Sequence, residues 1–434
     1  MPAPRTLPRW LPYAVAALWL AVGWAFLVRG AAHPGVAYRH WAFDHHAYSD
    51  LLAMAGDRYF RGGRPIPYLQ DRIEYPPLLA LALWLPSFVP GGPVAYFTVG
   101  YLFLAACGLA GIALLARIAG ARPWWLAGTP ALAYYGGLNW DLFPIALLLA
   151  AALAFERARP VTAGTLVALG VSAKLWPVAL VPPAAAALLR PWHPSPTHEP
   201  HVRDGRERAL AGLGRGAGAA AVTFLIVNMP IALLAPRGWT WFWRFNAGRG
   251  AENSIWELLR HSPHLRRLAF DAAFLNAVTL GLLAAAVAFS AWAAYQAAAR
   301  DGSARTRAVR LGTALVVVCW IATSKVWSPQ YALWAFAAGA LAAAPGWLFA
   351  VHALLAPLDY HVAFETRASR GLIHYFDAVY TAEEVLRSVG YLLLAAWIAR
   401  ELWRLARGAA GNPVPLGGGR APALQARETG KRQP

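Results

Sequence analysis

The sequence predicts an all-α polytopic membrane protein. Mean hydropathy is +0.41, and charged residues make up only 14 % of the 434 residues. Apolar runs recur along the whole chain, and several approach the roughly 20 residues that a helix needs to cross about 30 Å of hydrocarbon. Because lipid offers backbone groups no water, spanning segments must satisfy their hydrogen bonds as helices or within closed barrels. The runs are continuous rather than alternating, which favours a bundle of about 12 transmembrane helices.

The expected spans follow the apolar runs in order. They lie near 11–29, 94–119, 123–138, 141–156, 161–174, 175–189, 209–235, 272–299, 309–323, 331–344, 346–362 and 378–400. Several are short, which indicates tilt or partial insertion. The run Pro77–Val89 is bounded by proline and glycine. We expect it to dip into the outer leaflet and return, or to lie at the interface.

Arginine predicts the orientation of the chain. The net charge is +18, and most of the excess falls in short loops between the runs and in the C-terminal tail. In a soluble protein this charge would suggest nucleic acid, but here it is typical of cytoplasmic loops. We therefore expect no nucleic-acid partner, contacts with membrane lipids, and a multi-pass plasma-membrane protein with both termini in the cytoplasm. The first span has basic flanks and no convincing cleavage site, so it is interpreted as a retained anchor.

The pattern predicts one integral membrane domain over residues 1–408. Within it we expect a first outer loop at 30–93 that contains juxtamembrane helices, a cytoplasmic linker at 190–208 and an outer loop at 236–271. Residues 409–434 are basic and rich in Gly and Pro, which is typical of a disordered cytoplasmic tail. The only cysteines, Cys107 and Cys319, lie in apolar runs and are interpreted as small core residues.

The segment Asp44–Leu78 is the long polar insertion of the N-terminal part. It carries five carboxylates: Asp44, Asp50, Asp57, Asp71 and Glu74. With the orientation above, these and most other acids of the chain fall on the outer side, which indicates a working surface there. Asp50 precedes a predicted amphipathic helix at 51–60, and a partly desolvated carboxylate has the raised pKa that a general base needs. The competing interpretation of Asp50 is a helix cap.

Metal binding is a minor alternative for this loop. Asp44, His45 and His46 form a corner of possible ligands, but no HExxH or comparable spacing accompanies them. No Gly-rich phosphate loop or Rossmann fingerprint is present, so we expect no metal and no cofactor.

Other polar residues of the expected outer side are candidates for substrate binding. They are Glu74, Tyr75, Asp141, Lys174, Arg244, Arg249, Lys325 and Gln330. The two lysines lie in the similar segments 172–177 and 324–331, where a cation, a tryptophan and a proline interrupt apolar runs. Lysine within a membrane segment is a functional hypothesis by default, and a lipid-linked phosphate would need such a point charge. The competing interpretations are snorkelling lysines, a helix cap at Asp141 and an interfacial amphipathic helix in the aromatic loop 237–267.

Four blocks together resemble glycosyltransferase family 87. The first is a first-loop pattern made of Asp50-Leu51, Gly62/Gly63, Pro67-Tyr68, Asp71 and Glu74 to Leu78. The other three are Asn139-Trp140-Asp141, Ser172 to Pro177 and Lys325 to Tyr331. The resemblance covers most of the chain up to about residue 345. It implies a GT-C-like fold, an outward-facing site, a polyprenyl-phosphate sugar donor (usually mannose), a lipid or glycan acceptor and an inverting reaction.

The resemblance assigns the general base to Asp50. Lys174 and Lys325 are our own assignment for stabilising the departing phosphate, argued from the charge that develops in the transition state. Met54 stands where the family often has an aromatic residue, so Asp44 is kept as the fallback base. A transporter or lipid flippase and a non-catalytic scaffold of the cell envelope are the competing functions. A transporter predicts inverted repeats and charges at the bilayer midplane, and the sequence shows no internal repeat.

Overall fold

The computed structural model describes residues 8–33, 35–60, 63–190, 200–265 and 270–408, and within these ranges it contains helices and no strand. The first nine helices are α1 Leu11–Leu27, α2 Val36–Asp44, α3 Asp50–Tyr59, α4 Pro77–Trp84, α5 Gly92–Leu115, α6 Trp124–Ala127, α7 Ala131–Tyr135, α8 Leu142–Glu156 and α9 Pro160–Ala173. The remaining nine are α10 Val181–Leu189, α11 Pro200–Leu234, α12 Pro236–Gly248, α13 Ile255–His261, α14 Ala272–Ala298, α15 Gly302–Thr323, α16 Tyr331–Ala342, α17 Gly346–Glu365 and α18 Ala378–Arg407.

Six helical segments of the described chain are long and apolar enough to cross a membrane. They are Leu11–Ala32, Gly92–Leu115, Glu207–Leu234, Ala272–Ala298, Gly302–Thr323 and Gly346–Glu365. Shorter apolar helices accompany them at Pro77–Phe88, Leu142–Glu156, Pro160–Ala173, Trp176–Leu189 and Tyr331–Ala342. The all-helical membrane-type fold is therefore confirmed, whereas the number of about 12 spans is not.

Proline and glycine interrupt some of the expected spans. The expected span at 123–138 is divided into α6 and α7 around Gly128–Pro130, and neither piece exceeds five residues. The expected span at 175–189 begins as a 3₁₀ helix, Trp176–Leu180, before α10. α4 rises only about 12 Å over its eight residues, which is far less than the hydrocarbon thickness.

The helix bundle has two chemically different ends. At one end, here called the arginine end, Arg310 of α15 lies 3.4 Å from Glu156 at the end of α8. α8 begins after Asp141 and α15 is followed by Lys325, so both helices lead to an opposite end that carries these two residues. α9 returns from Pro160 to the same opposite end and stops before Lys174. We call this second end the site end.

Tight helix packing fixes the position of α9. A Cβ atom on Gly164 would lie 2.0 Å from the carbonyl oxygen of Gly216 in α11, so only glycine permits this approach. Small residues allow helix backbones to come close in membranes, where packing rather than water exclusion holds helices together. The backbones of α9 and α11 are therefore in close contact near the start of α9.

The predicted loops contain more helix than expected. The region of the first loop holds α2, α3 and α4, and the loop at 236–271 holds α12 and α13. α11 begins at Pro200, so its first turns occupy part of the predicted linker at 190–208. Residues 191–199 of that linker and the predicted tail at 409–434 lie outside the described residues.

Candidate functional site

Ser49, not Asp50, caps helix α3. The Ser49 hydroxyl accepts a hydrogen bond of 3.2 Å from the Leu51 amide, and Asp50 is the first residue of the helix. The Asp50 amide donates to the Leu138 carbonyl at 2.7 Å, which ties the start of α3 to the turn before α8. The capping interpretation of Asp50 is therefore wrong, and its carboxylate is free for other partners.

The Asp50 carboxylate is half-buried and bound by two neutral donors. Tyr48 donates its hydroxyl hydrogen to Oδ1 at 2.9 Å, and the Asn139 amide donates to Oδ2 at 2.6 Å. Burial raises the pKa of Asp50 above its ordinary value, and the hydrogen bonds from Asn139 and Tyr48 and the charge of Lys174 offset only part of this rise. A carboxylate with a raised pKa, still open to solvent on one side, is suited to accept a proton.

Asn139 connects the residues of the site, a role that the sequence interpretation did not give it. Its side-chain nitrogen donates to Asp50 and to the Tyr75 hydroxyl at 2.8 Å. Its oxygen accepts from the Lys174 ammonium at 3.0 Å and from the Trp140 amide at 2.7 Å. Asn139 is 1 % exposed, so these four bonds satisfy a buried amide and fix its orientation. The signal for Asn139 in the sequence is its place in the block Asn139-Trp140-Asp141.

Lys174 and Asp141 form a buried ion pair beside Asn139. The ammonium lies 2.7 Å from Asp141 Oδ1, which also accepts the Trp334 indole N–H at 2.6 Å. Asp141 is completely buried, and its other oxygen has no hydrogen-bond partner among the described residues. Asp141 makes no side-chain capping bond to α8, so the cap interpretation is wrong here too. Lys174 is held in the interior rather than snorkelling to the surface.

An apolar cleft borders this cluster at Tyr75. Tyr75 forms part of its wall and lies under the Lys174 ammonium, 5.8 Å from the ring centroid. The lining residues are Tyr68, Tyr75, Pro76, Pro77, Val171, Leu175, Phe224, Asn228, Trp239, Phe242 and Trp243. Glu74 precedes Tyr75, is half-buried, and has a charge that contributes to the raised pKa of Asp50.

A second cationic group lies where two loops pair. Residues 249–254 and 324–330 meet through a parallel bridge between Glu252 and Val326. The Glu252 amide donates to the Lys325 carbonyl at 3.0 Å, and the Lys325 ammonium donates to the Ala247 carbonyl at 3.0 Å. Arg249 pairs with Glu252. Partial burial and the nearby Arg249 charge lower the pKa of Lys325, as expected for two cations at close range.

Stacked aromatic rings join the two groups. Tyr331 and Trp334 at the start of α16 stack with their ring centroids 4.1 Å apart. Trp334 bonds Asp141, while the charges of both Asp141 and Arg249 act on the Tyr331 hydroxyl. The Asp50 cluster and the Lys325 pair therefore lie at the same end of the bundle.

Three predicted residues take no part in either group. Arg244 is exposed on α12, and Gln330 is buried and accepts a 2.8 Å bond from Ser328. Asp44 is exposed and accepts bonds from the Ser369 amide at 3.0 Å and hydroxyl at 2.6 Å. These bonds lower the pKa of Asp44, which makes it a weaker base than Asp50.

The histidines beside Asp44 bind other side chains. His46 Nε2 lies 3.0 Å from Glu365 Oε2, and its Nδ1 lies 3.3 Å from His361 Nδ1. His45 bonds the Trp41 carbonyl at 2.8 Å. In the part of the chain that the structure describes, no three His, Cys, Asp or Glu side chains are arranged to hold a metal ion.

Comparison with known proteins gives no family. No protein-family model matches the chain, and no curated protein matches it significantly. The resemblance to glycosyltransferase family 87 therefore stays a prediction drawn from the motifs.

Proposed function

We propose that the protein is a membrane glycosyltransferase that moves a sugar from a polyprenyl-phosphate donor to a hydroxyl group of a lipid or glycan acceptor. The observation that supports this most is the half-buried Asp50 with its raised pKa, at the same end of the bundle as the cations Arg249 and Lys325. A base and a phosphate-binding pair are the two groups that such a transfer requires. The motif resemblance suggests mannose as the sugar.

The proposed reaction is a single displacement. Asp50 accepts the proton of the acceptor hydroxyl as its oxygen attacks the anomeric carbon, and the bond from that carbon to the phosphate oxygen breaks. The new glycosidic bond has inverted configuration, and the polyprenyl phosphate leaves with the bonding electron pair. Negative charge grows on the phosphate during this step, so cations placed beforehand lower the barrier.

The two lysines receive different roles in this proposal. Lys174 forms an ion pair with Asp141 in the interior. Its positive charge also stabilises the ionised form of Asp50. Lys325 donates to the neutral Ala247 carbonyl rather than to a carboxylate, so it is the better phosphate ligand, with Arg249 beside it. The phosphate role that the sequence suggested for both lysines is therefore proposed for Lys325 alone.

The proposed location is the plasma membrane, with the site end facing outward and both termini in the cytoplasm. The arginines that the sequence predicts to be cytoplasmic, among them Arg310 at the arginine end, support this orientation. The apolar cleft beside Tyr75 opens toward α11 and α12 and gives a lipid-borne substrate an apolar wall close to Asn139.

The test is transfer by the Asp50→Asn variant in membranes supplied with labelled lipid donor. The amide keeps the size of the side chain but accepts no proton, so we expect transfer to fall by about 10²- to 10⁴-fold. Asp44→Asn is the matched control and is expected to stay near the wild-type rate. Near wild-type transfer by Asp50→Asn would remove Asp50 from the catalytic role.

One observation favours the competing transporter function. Asp359, Glu383, Glu384 and Arg387 are buried side chains of α17 and α18, and ionisable residues inside membrane helices often mark transport paths. Movement of a lipid or sugar by the reconstituted protein, without formation of a glycosidic bond, would support transport instead of transfer.

A further inference from the structure

Arg387 of α18 is the most completely engaged ion in the described chain. Its Nη1 donates to Asp359 at 2.6 Å and to Glu383 at 3.1 Å, and its Nη2 donates to Glu384. All four side chains are buried, with exposures of 1–4 %. Three carboxylates around one guanidinium fix its plane and position, because arginine presents its donors in a rigid fork.

The guanidinium also reaches the loop that precedes α13. Nη2 donates to the Asn253 carbonyl at 2.9 Å. Asn253 adopts a left-handed backbone conformation with φ +47°, which non-glycine residues rarely occupy unless neighbouring contacts hold them there. The Asn253 amide donates to Glu257 at 2.6 Å, so both backbone groups of this residue are bound. Arg387 therefore helps to hold a strained turn one residue after Glu252.

The second loop rests on the face of the same guanidinium. Arg387 Cζ lies 3.6 Å from the centroid of the Trp327 ring. The Trp327 amide donates to the Glu252 carbonyl at 2.9 Å, and the Ser254 hydroxyl donates to the Lys325 carbonyl at 2.8 Å. One buried side chain thus contacts both loops that carry Arg249 and Lys325.

We infer that Arg387 is a positioning residue for the phosphate-binding pair Arg249 and Lys325. This inference rests on the proposed function, since it assigns that pair to the donor phosphate. Arg387 touches no substrate; it sets the separation of two loops whose cations must both reach one phosphate. A shift of about 1 Å in such a pair is enough to weaken productive binding by up to about 10²-fold.

The experiment measures binding of a polyprenyl phosphate without sugar to the full-length protein in lipid nanodiscs. The variant is Arg387→Lys, which keeps one positive charge among the three carboxylates but lacks the fork and the flat face. We expect the Kd to rise about 10- to 100-fold. Arg404→Gln, on the same helix and paired with Glu401 at the exposed surface, is the control and should bind like wild type.

Trp327→Leu is a second variant that disrupts the contact between Arg387 and the loop of Lys325. It leaves every ion pair of Arg387 in place and removes only the ring that covers the guanidinium, so it too should weaken binding. This variant keeps the inference testable if Arg387→Lys yields little folded protein.

A combined variant separates positioning from general support of the fold. If Arg387 acts through the pair, then Arg387→Lys should add less than about threefold to the Kd of a protein that already carries Arg249→Gln and Lys325→Gln, because contacts in one network are not additive. Full additivity, or wild-type binding by Arg387→Lys, would overturn the inference and leave the proposed function standing. Failure of the wild-type protein to bind the probe would overturn both.

Discussion

Lys174 and Lys325 follow helix ends in nearly the same sequence context yet reach different environments. Lys174 directly follows α9, and Lys325 lies two residues after the end of α15; the negative end of a helix dipole favours a cation. A tryptophan and a proline follow each of them. Lys174 then meets a buried carboxylate, whereas Lys325 meets a backbone carbonyl and a second cation.

The comparison shows that the role of a lysine near a helix end depends on the charged groups around its ammonium. Beside Asp141 the ammonium is a structural and electrostatic partner of the base. Beside Arg249 it is part of an incompletely compensated positive patch, which is the state that attracts a phosphate. The following predictions test this contrast.

The largest expected effect is on stability. Lys174→Met leaves the fully buried Asp141 without its cation, and breaking a buried pair in this way costs about 3–5 kcal/mol of unfolding free energy. Lys325→Met removes one bond from a half-buried side chain and should cost about 1 kcal/mol. Unfolding of the detergent-solubilised variants measures both losses. Partial recovery of stability in Lys174→Met with Asp141→Asn is the control, and equal losses in the two single variants would contradict the contrast.

The second expected effect is on donor binding. Lys325→Gln and Arg249→Gln should each raise the KM for the lipid donor about tenfold while changing kcat less, since part of the phosphate interaction exists in the ground state. The exposed Arg244→Gln on α12 is a matched control and should leave KM unchanged. An unchanged KM in Lys325→Gln would show that the phosphate binds elsewhere.

The smallest expected effects are shifts of the pH profile, and they have opposite signs. Asn139→Ala removes a hydrogen bond that lowers the pKa of Asp50, so the rising limb of kcat/KM should move to higher pH. Glu74→Gln removes a charge that raises the same pKa, so the limb should move to lower pH. Because the base works only when ionised, activity rises with pH in both variants. Shifts in the same direction would contradict the assignment of Asp50.

Hydropathy was enough to predict the fold class and the approximate position of the long helices. The reason is that the thickness of the hydrocarbon layer sets a minimum length for the apolar run that crosses it. The predicted number of about 12 spans is not confirmed, and some expected spans are divided where prolines and glycines break apolar runs, as in α6 and α7. Continuous hydropathy cannot distinguish a short buried helix from a crossing one.

The sequence was enough to select most residues of the candidate site, but it did not predict the contacts between them. Asp50, Tyr75, Asp141 and Lys174 were selected from the sequence, and the structure brings them together. Asn139 received no role of its own, because only the folded chain places its amide between Asp50, Tyr75 and Lys174. The Arg387 network was missed because its members come from α17 and α18, and only tertiary packing places Arg387 beneath the loop of Lys325.

The most direct test of the account asks on which side of the membrane Asp50 and Lys325 lie. Single cysteines replace either residue, or Arg307 at the arginine end, in a protein whose native Cys107 and Cys319 are changed to alanine. A thiol reagent that does not cross membranes is then applied to intact cells. The account predicts labelling at positions 50 and 325 from outside and at position 307 only after permeabilisation. Labelling of positions 50 and 325 from opposite sides would contradict it.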